Sequence, residues 1–170
     1  RGKTNLLLLT LGTGIGGGLI LNNQLYRGST GTGGELGHFS INSNGIPCPC
    51  GNFGCLERYC SASALKAKLP HLSAKEIFQN YSTDPDCKIA IDEFLHHLKI
   101  GLTSLANIFD PDIILLGGAV SQGLIPHIQE IRDWVKKSAF PAIGVQMKID
   151  FTDYQNNSGA IGAALLGVEK

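Results

Sequence analysis

Apolar positions along this chain repeat with two periods, and the places where the period changes mark its elements. Asn5 to Thr10 is a continuous leucine-rich run of strand length, which predicts a buried strand. Gly18 to Leu21 and Gln24 to Arg27 flank Asn22-Asn23, a pair that tolerates positive φ, so the two runs predict a hairpin. From Gly28 to Gly54 no helical period survives. That stretch, with loop glycines and a short strand-like piece at Phe39 to Ile41, predicts an insertion. Ser61 to Leu69 then predicts a helix, and Ser73 with Glu76 three residues later forms the S-x-x-E box that starts another. Asp84 as N-cap and Pro85 as first residue open a long helix. Its stripe of Ile91, Phe94, Leu95, Leu98, Leu102, Leu105 and Phe109 keeps the 3.6 period until Asp110-Pro111 ends it. A buried strand at Ile113 to Leu116, a turn at Gly117-Gly118, a helix from about Leu124 to Lys137, a strand from Val145 to Phe151 and a closing helix from about Gly159 to Gly167 complete the pattern.

Three strands in sequence followed by two reached through helices predict a mixed β-sheet flanked by helices, in the ribonuclease-H-like order. Ligands on such a sheet gather at the carboxyl ends of its strands. Two such units facing each other across a cleft form actin-like ATPase cores, so the chain is expected to be one lobe of a pair. Composition fits a soluble globular domain: 170 residues, 43% hydrophobic and 16% charged. Fourteen basic residues balance fourteen acidic ones, and no basic run exceeds Lys136-Lys137. The balance argues against nucleic acid or an anionic membrane as a partner of this chain. Apolar runs are far shorter than the ~20 residues that span a bilayer.

Cys48, Cys50 and Cys55, in the run C-P-C-G-N-F-G-C, follow His38 and complete a set of four soft ligands. Tetrahedral zinc takes such ligands at about 2.0 to 2.3 Å, and four protein ligands leave no position for an activated water, so a zinc here is expected to be structural. Gly51 and Gly54 allow the tight loop that brings three sulfurs together. The alternative is a set of plain buried thiols or disulfides. Against it, Cys-Pro-Cys places its two sulfurs poorly for bonding each other. Cys60 and Cys87 fall on helical segments as free core thiols. Five cysteines, an odd number, suit a reducing cytoplasm. His96 and His97, on the long helix, lack the ligand spacing for a second metal.

Glycine supplies 22 residues, about 13% against a background of about 7%, and ten lie between Gly12 and Gly37. L-G-T-G-I-G-G-G, from Leu11 to Gly18, joins the first strand to the second. A turn there can aim bare backbone N–H groups at phosphate, with the Thr13 hydroxyl beside them. A strand follows it, unlike the Rossmann and Walker loops, so a plain hairpin corner is the competing reading. Gly117-Gly118-Ala119 offers a second bare surface between a strand and a helix. Glu35, His38 and Glu57 bracket the cysteine loop, and acceptors mixed with donors suit a polyol, whose hydroxyls do both.

These pieces together resemble the ROK family of sugar kinases and sugar-responsive repressors. The matching motifs are L-G-T-G-I-G-G-G-L, the G-x-x-x-x-G-G-E-L-G-H run ending at His38, C-P-C-G-N-F-G-C-L-E ending at Glu57, and D-P-D-I-I-L-L-G-G-A-V. The resemblance implies that Gly12, Thr13 and Gly14 face the phosphates of ATP and that Gly117 and Gly118 line the adenine pocket. It implies that Glu35, His38 and Glu57 contact sugar hydroxyls. His38 then serves twice, with one ring nitrogen on zinc and the other toward the sugar. The family's D-x-G-G-T phosphate motif and its N-D-A-N aspartate, the general base, occur nowhere in this chain. The chain is therefore expected to be the carboxyl-terminal lobe, residues 1–170, of a cytoplasmic glucokinase-like enzyme, with a zinc and sugar insertion at about residues 28–60. ATP and magnesium are the expected cofactors, a hexose the substrate and a homodimer the assembly. A sugar-sensing repressor of the same family is the competing function.

Overall fold

A computed structural model describes residues 2–153; the expected closing helix at Gly159 to Gly167 lies outside the described residues. Five strands form one sheet in the order β3-β2-β1-β4-β5. β1 (Leu6–Leu11) pairs antiparallel with β2 (Ile15–Leu21), which pairs antiparallel with β3 (Gln24–Leu25). On the other side β1 pairs parallel with β4 (Ile113–Gly117), and β4 pairs parallel with β5 (Ile149–Phe151). The Asn22-Asn23 turn has φ of 53° and 63°, the left-handed pair that a two-residue hairpin of this twist requires.

Leu7, Leu9 and Leu11 point into the core without exposed surface, while Leu6, Leu8 and Thr10 line the other face and are only half-buried. α3 (Pro85–Phe109) covers the core face, burying Ile91, Phe94, Leu95, Leu98, Leu102 and Leu105. Asp84 caps it by accepting from the Asp86 and Cys87 N–H groups at 2.8 and 3.2 Å. It stops at Asp110, which turns left-handed at φ 42° ahead of Pro111. α1 (Ala62–Lys68) and α2 (Ala74–Gln79) precede it, and the capping box of Ser73 and Glu76 is formed in both directions. α4 (Ile128–Ser138) is held to α3 by Lys99, whose Nζ lies 2.5 Å from a Glu130 carboxylate oxygen and 4.8 Å from the centre of the Trp134 ring.

Three expectations from the pattern need correction. The helix expected from about Leu124 is preceded by a 3₁₀ stretch, Ala119–His127, because Pro126 has no N–H to give and cannot extend an α-helical ladder. The strand expected at Val145 to Phe151 is β5 only from Ile149; before it, α5 (Pro141–Gln146) starts on a proline and leaves Val145 exposed. Alternate apolar residues at 145, 147, 149 and 151 imitate a strand, but residues 145 and 147 belong to the end of a helix and its cap. The piece at Phe39 to Ile41 is no strand. It makes one isolated bridge, Ser40 to Cys55, within a loop-rich insertion. Cys60 and Cys87 are buried free thiols, and burial pushes both above the usual thiol range. His96 is exposed, and half-buried His97 stacks on Tyr59 at 4.3 Å.

Candidate functional site

The insertion is built by backbone pairing across its two ends rather than by a core of its own. Glu57 N donates to Gly37 O, Leu56 N to Phe39 O and Ile41 N to Gly54 O, at 2.9 to 3.1 Å. Gly51 and Gly54 hold φ of 94° and 64°, and a Cβ on Gly54 would overlap the Asn42 carbonyl, so the crossing is open to glycine alone. Leu56 is fully buried and packs on Gly101 of α3, which anchors the insertion to the domain.

This loop brings His38, Cys48, Cys50 and Cys55 together, with one ligand atom from each lying within 4.8 Å of all the others. His38 Nδ1 stands 3.6 Å from Cys48 Sγ, and Cys50 Sγ stands 3.7 Å from Cys55 Sγ. A tetrahedron with bonds of about 2.3 Å to sulfur and 2.05 Å to nitrogen has edges of about 3.75 Å between sulfurs and about 3.55 Å between nitrogen and sulfur. The donor set fits one tetrahedral cation. The sulfurs are too far apart for a disulfide, whose bond is about 2.05 Å. Without a cation the thiols split: the Asn52 backbone and Cys48 lower Cys50 to about 7, while burial pushes Cys55 up to about 12. A dication among them favours thiolate at every sulfur.

His38 Nε2, on the far side of the ring, faces outward, 3.9 Å from an oxygen of exposed Glu35. Glu57, held beside Gly37 by its backbone, turns toward the glycine turn instead. Its Oε2 accepts from Ile15 N at 2.7 Å, and a Cβ on Gly14 would overlap that oxygen. Gly12 is different, since nothing lies within 4 Å of where its Cβ would stand. The Ala62 and Ser63 N–H groups, at the start of α1, donate to the Gly12 and Thr13 carbonyls at 2.8 and 3.3 Å. Those carbonyls are thereby drawn toward α1.

Two cavities meet at this turn. The smaller, about 390 Å³, is lined by Thr10, Gly12 to Gly16, Glu57 and Gly118. The larger, about 740 Å³, opens between α2 and the 3₁₀ stretch; its walls include Ala74, Lys75, Phe78, Ala119, Val120 and Gly123. Gly12 and Thr13 belong to both. Gly117 lines neither cavity; it is buried, with its open side against Thr152. The structure thus gathers the glycine turn and Glu57 into one hollow, and His38 with Glu35 beside the cysteine cluster. Two features were missed by sequence reasoning: the α2 wall of the large cavity and the seat of Glu57 on the turn. Ser73 and Glu76 signalled only a helix start, and nothing in the spacing of Gly14 and Glu57 marks their contact.

The sequence matches the ROK family model over residues 1–170. The chain belongs to the ROK family. This ROK chain is 33% identical over 174 residues to the xylose repressor of Bacillus spizizenii, covering 99% of itself and 45% of the repressor. It is 31% identical over 186 residues to the glucokinase of Halalkalibacterium halodurans, covering 97% of itself and 56% of that enzyme. The ROK hexokinase of Thermus thermophilus superposes with a TM-score of 0.84 at 30% identity, over 99% of this chain and 59% of that one. A ROK glucokinase from Streptomyces griseus, solved in complex with glucose and AMPPNP, superposes at 0.80 with 29% identity, over 98% of this chain and 61% of that one. The ROK chain therefore has the mixed α/β fold of the ROK sugar kinases and spans about half the length of the curated relatives it matches. Both glucokinases and xylose repressors stand among those relatives. No helix among the described residues is long and apolar enough to cross a membrane.

Proposed function

We propose that this chain is the carboxyl-terminal lobe of an ATP-dependent hexose kinase of the glucokinase type. The carrying observation is the open turn at Gly12 and Thr13, shared by a large, mostly apolar cavity and a small one of mixed polarity. A base and ribose fit the first, the phosphates lie along the turn, and the hexose approaches from the side of Glu35, His38 and Glu57. Gly118 borders the phosphates, and Ala119 and Val120 carry the wall on toward the base. His38, Cys48, Cys50 and Cys55 hold a structural zinc, which fixes the tautomer of His38 so that Nε2 is aimed outward at the sugar. Glu35 and Glu57 accept from sugar hydroxyls. In-line attack by one hydroxyl on the γ-phosphate needs positioned phosphates with magnesium, and a carboxylate to take the proton. This chain supplies position; the carboxylate base comes from a second lobe, and a homodimer is the proposed assembly.

The xylose repressors among the relatives favour a second reading, a sugar-sensing repressor in which the sugar grip serves as an effector site. The two readings differ on nucleotide. A repressor has no use for a phosphate turn kept open beside a cavity of about 740 Å³. The test is phosphoryl transfer from ATP to glucose, N-acetylglucosamine, N-acetylmannosamine and fructose by the full-length protein. Turnover with one of them supports the kinase. No turnover with any, together with sugar binding and no nucleotide binding, establishes the repressor.

A further inference from the structure

Glu57 has one oxygen in the phosphate turn and its backbone in the sugar-facing insertion. Its N–H donates to Gly37 O at 3.0 Å, next to His38, and its Oε2 accepts from Ile15 N at 2.7 Å, at the first residue of β2. Gly14 has no side chain where that oxygen lies, and a Cβ there would displace it. The bareness of the turn therefore has two causes. At Gly12 the space is open to a ligand; at Gly14 it is filled by this protein's own carboxylate. The N–H groups of the turn divide in the same way. Gly12 N is taken by Gly14 O at 2.9 Å and Ile15 N by Glu57, and among the described residues the N–H groups of Thr13 and Gly14 have no partner. Those two are left for a phosphate oxygen, and their aim depends on where Glu57 holds Ile15.

We propose that Glu57 is a positioning residue coupling hexose binding to nucleotide binding: one carboxylate oxygen fixes the phosphate turn through Ile15 N while the other accepts from the hexose. This rests on the kinase reading above, in which both ligands use this hollow. A hexose hydroxyl on the free oxygen removes torsional freedom from the Glu57 side chain, and with it freedom from Ile15, Gly14 and Thr13. A nucleotide then binds a turn already ordered and loses less entropy on binding. By linkage the nucleotide tightens the hexose by the same factor.

The experiment is calorimetric titration of the full-length protein with AMPPNP, with and without a saturating hexose, taken from glucose, N-acetylglucosamine, N-acetylmannosamine and fructose. The wild-type protein is expected to bind AMPPNP about tenfold tighter with hexose present, within the usual range for coupled sites. Gly14→Ala pushes the carboxylate aside and is expected to lower the coupling factor to near one and to weaken hexose binding, with metal content unchanged. Glu57→Ala removes the acceptor and should reach the same coupling factor by the opposite route, which keeps the test decisive if one variant folds poorly. Gly12→Ala places a methyl in open space, weakens AMPPNP, and leaves the coupling and the hexose affinity as they were. Independent binding of the two ligands to wild-type protein, or full coupling in Gly14→Ala, overturns the inference and leaves the kinase reading intact. Absence of binding by either ligand overturns the kinase reading itself, and the inference with it.

Discussion

Cys50→Ala removes one of four candidate ligands from a loop whose other ties are backbone hydrogen bonds and a few side chains on the core. Within the insertion, Leu36 and Leu56 are buried in the core and Phe39, Ile41 and Tyr59 pack partly against it, so the order of the cysteine loop itself depends on hydrogen bonds and, with an ion bound by the four ligands, on that cross-link. His38 and Cys55 close a loop of about 18 residues, and a cross-link over a loop of that length restricts the open chain by about 3 kcal/mol in the chain-entropy model. That equals about two decades in the population of the ordered flap. Ordering of residues 35 to 38 and of Glu57 then weakens together, and the hexose dissociation constant is expected to rise between tenfold and a hundredfold. The sheet and α3 share little of the loss, because most of the core cluster that holds them, Leu7, Leu9, Leu98 and Leu102 among it, comes from outside the flap. The main melting transition should move by only a few degrees. Zinc stoichiometry by plasma mass spectrometry, read beside calorimetric hexose affinity, makes the measurement. A full equivalent of zinc in the variant refutes the ligand set. Zinc loss with unchanged hexose affinity refutes the link between metal and sugar.

Ala119→Phe should place a ring in the large cavity, weakening AMPPNP by at least about tenfold while hexose affinity stays the same, since a ring deprives the base of its space. Asp112 accepts from the Asn5 and Thr4 N–H groups at 3.0 and 2.8 Å, which hold its carboxyl below the ordinary value. Its contribution is present above the unfolded value of about 3.9 and is lost as pH falls through the lower folded value, so Asp112→Asn should flatten the fall of melting temperature below about pH 4. A variant whose acid limb matches that of the wild-type protein would show that the Asp112 contact carries no weight.

Elements whose ends are set by local chemistry were legible in the sequence. Asp84-Pro85 and Asp110-Pro111 bound α3, Asn22-Asn23 turns the hairpin, and Ser73 with Glu76 caps α2, because each signal acts within a few residues of the backbone it governs. The cysteine cluster was legible for a related reason: ligand types and spacing restrict a metal loop before anything packs on it. The region from 119 to 151 was less legible. Apolar alternation from Val145 onward obeys strand and helix templates equally over so short a run, and Pro141 decides the matter only through its place at a helix start. Glu57 illustrates a different limit. Ile15 and Glu57 stand 42 residues apart, beyond reach of any local rule, and the meeting of Gly14 with Glu57 requires β1, β2 and the insertion to be in place at once.

Glycine in the turn after β1 carries two meanings that only the structure separates. Read as composition, every glycine from Gly12 to Gly18 is a candidate for ligand approach. In the fold, Gly17 is bare because Leu36 and the Gly34 carbonyl pack on it, Gly14 because Glu57 enters it, and Gly12 alone faces open space within the turn. A protein needing only a hexose requires the first two, since they seat the insertion that carries Glu35 and His38 against β2. Only the third leaves room for a ligand on the turn. The choice between kinase and repressor therefore narrows to one side of one turn: a branched side chain at position 12 should leave sugar recognition whole and abolish nucleotide binding, which is how a kinase lobe would become a sensor without refolding.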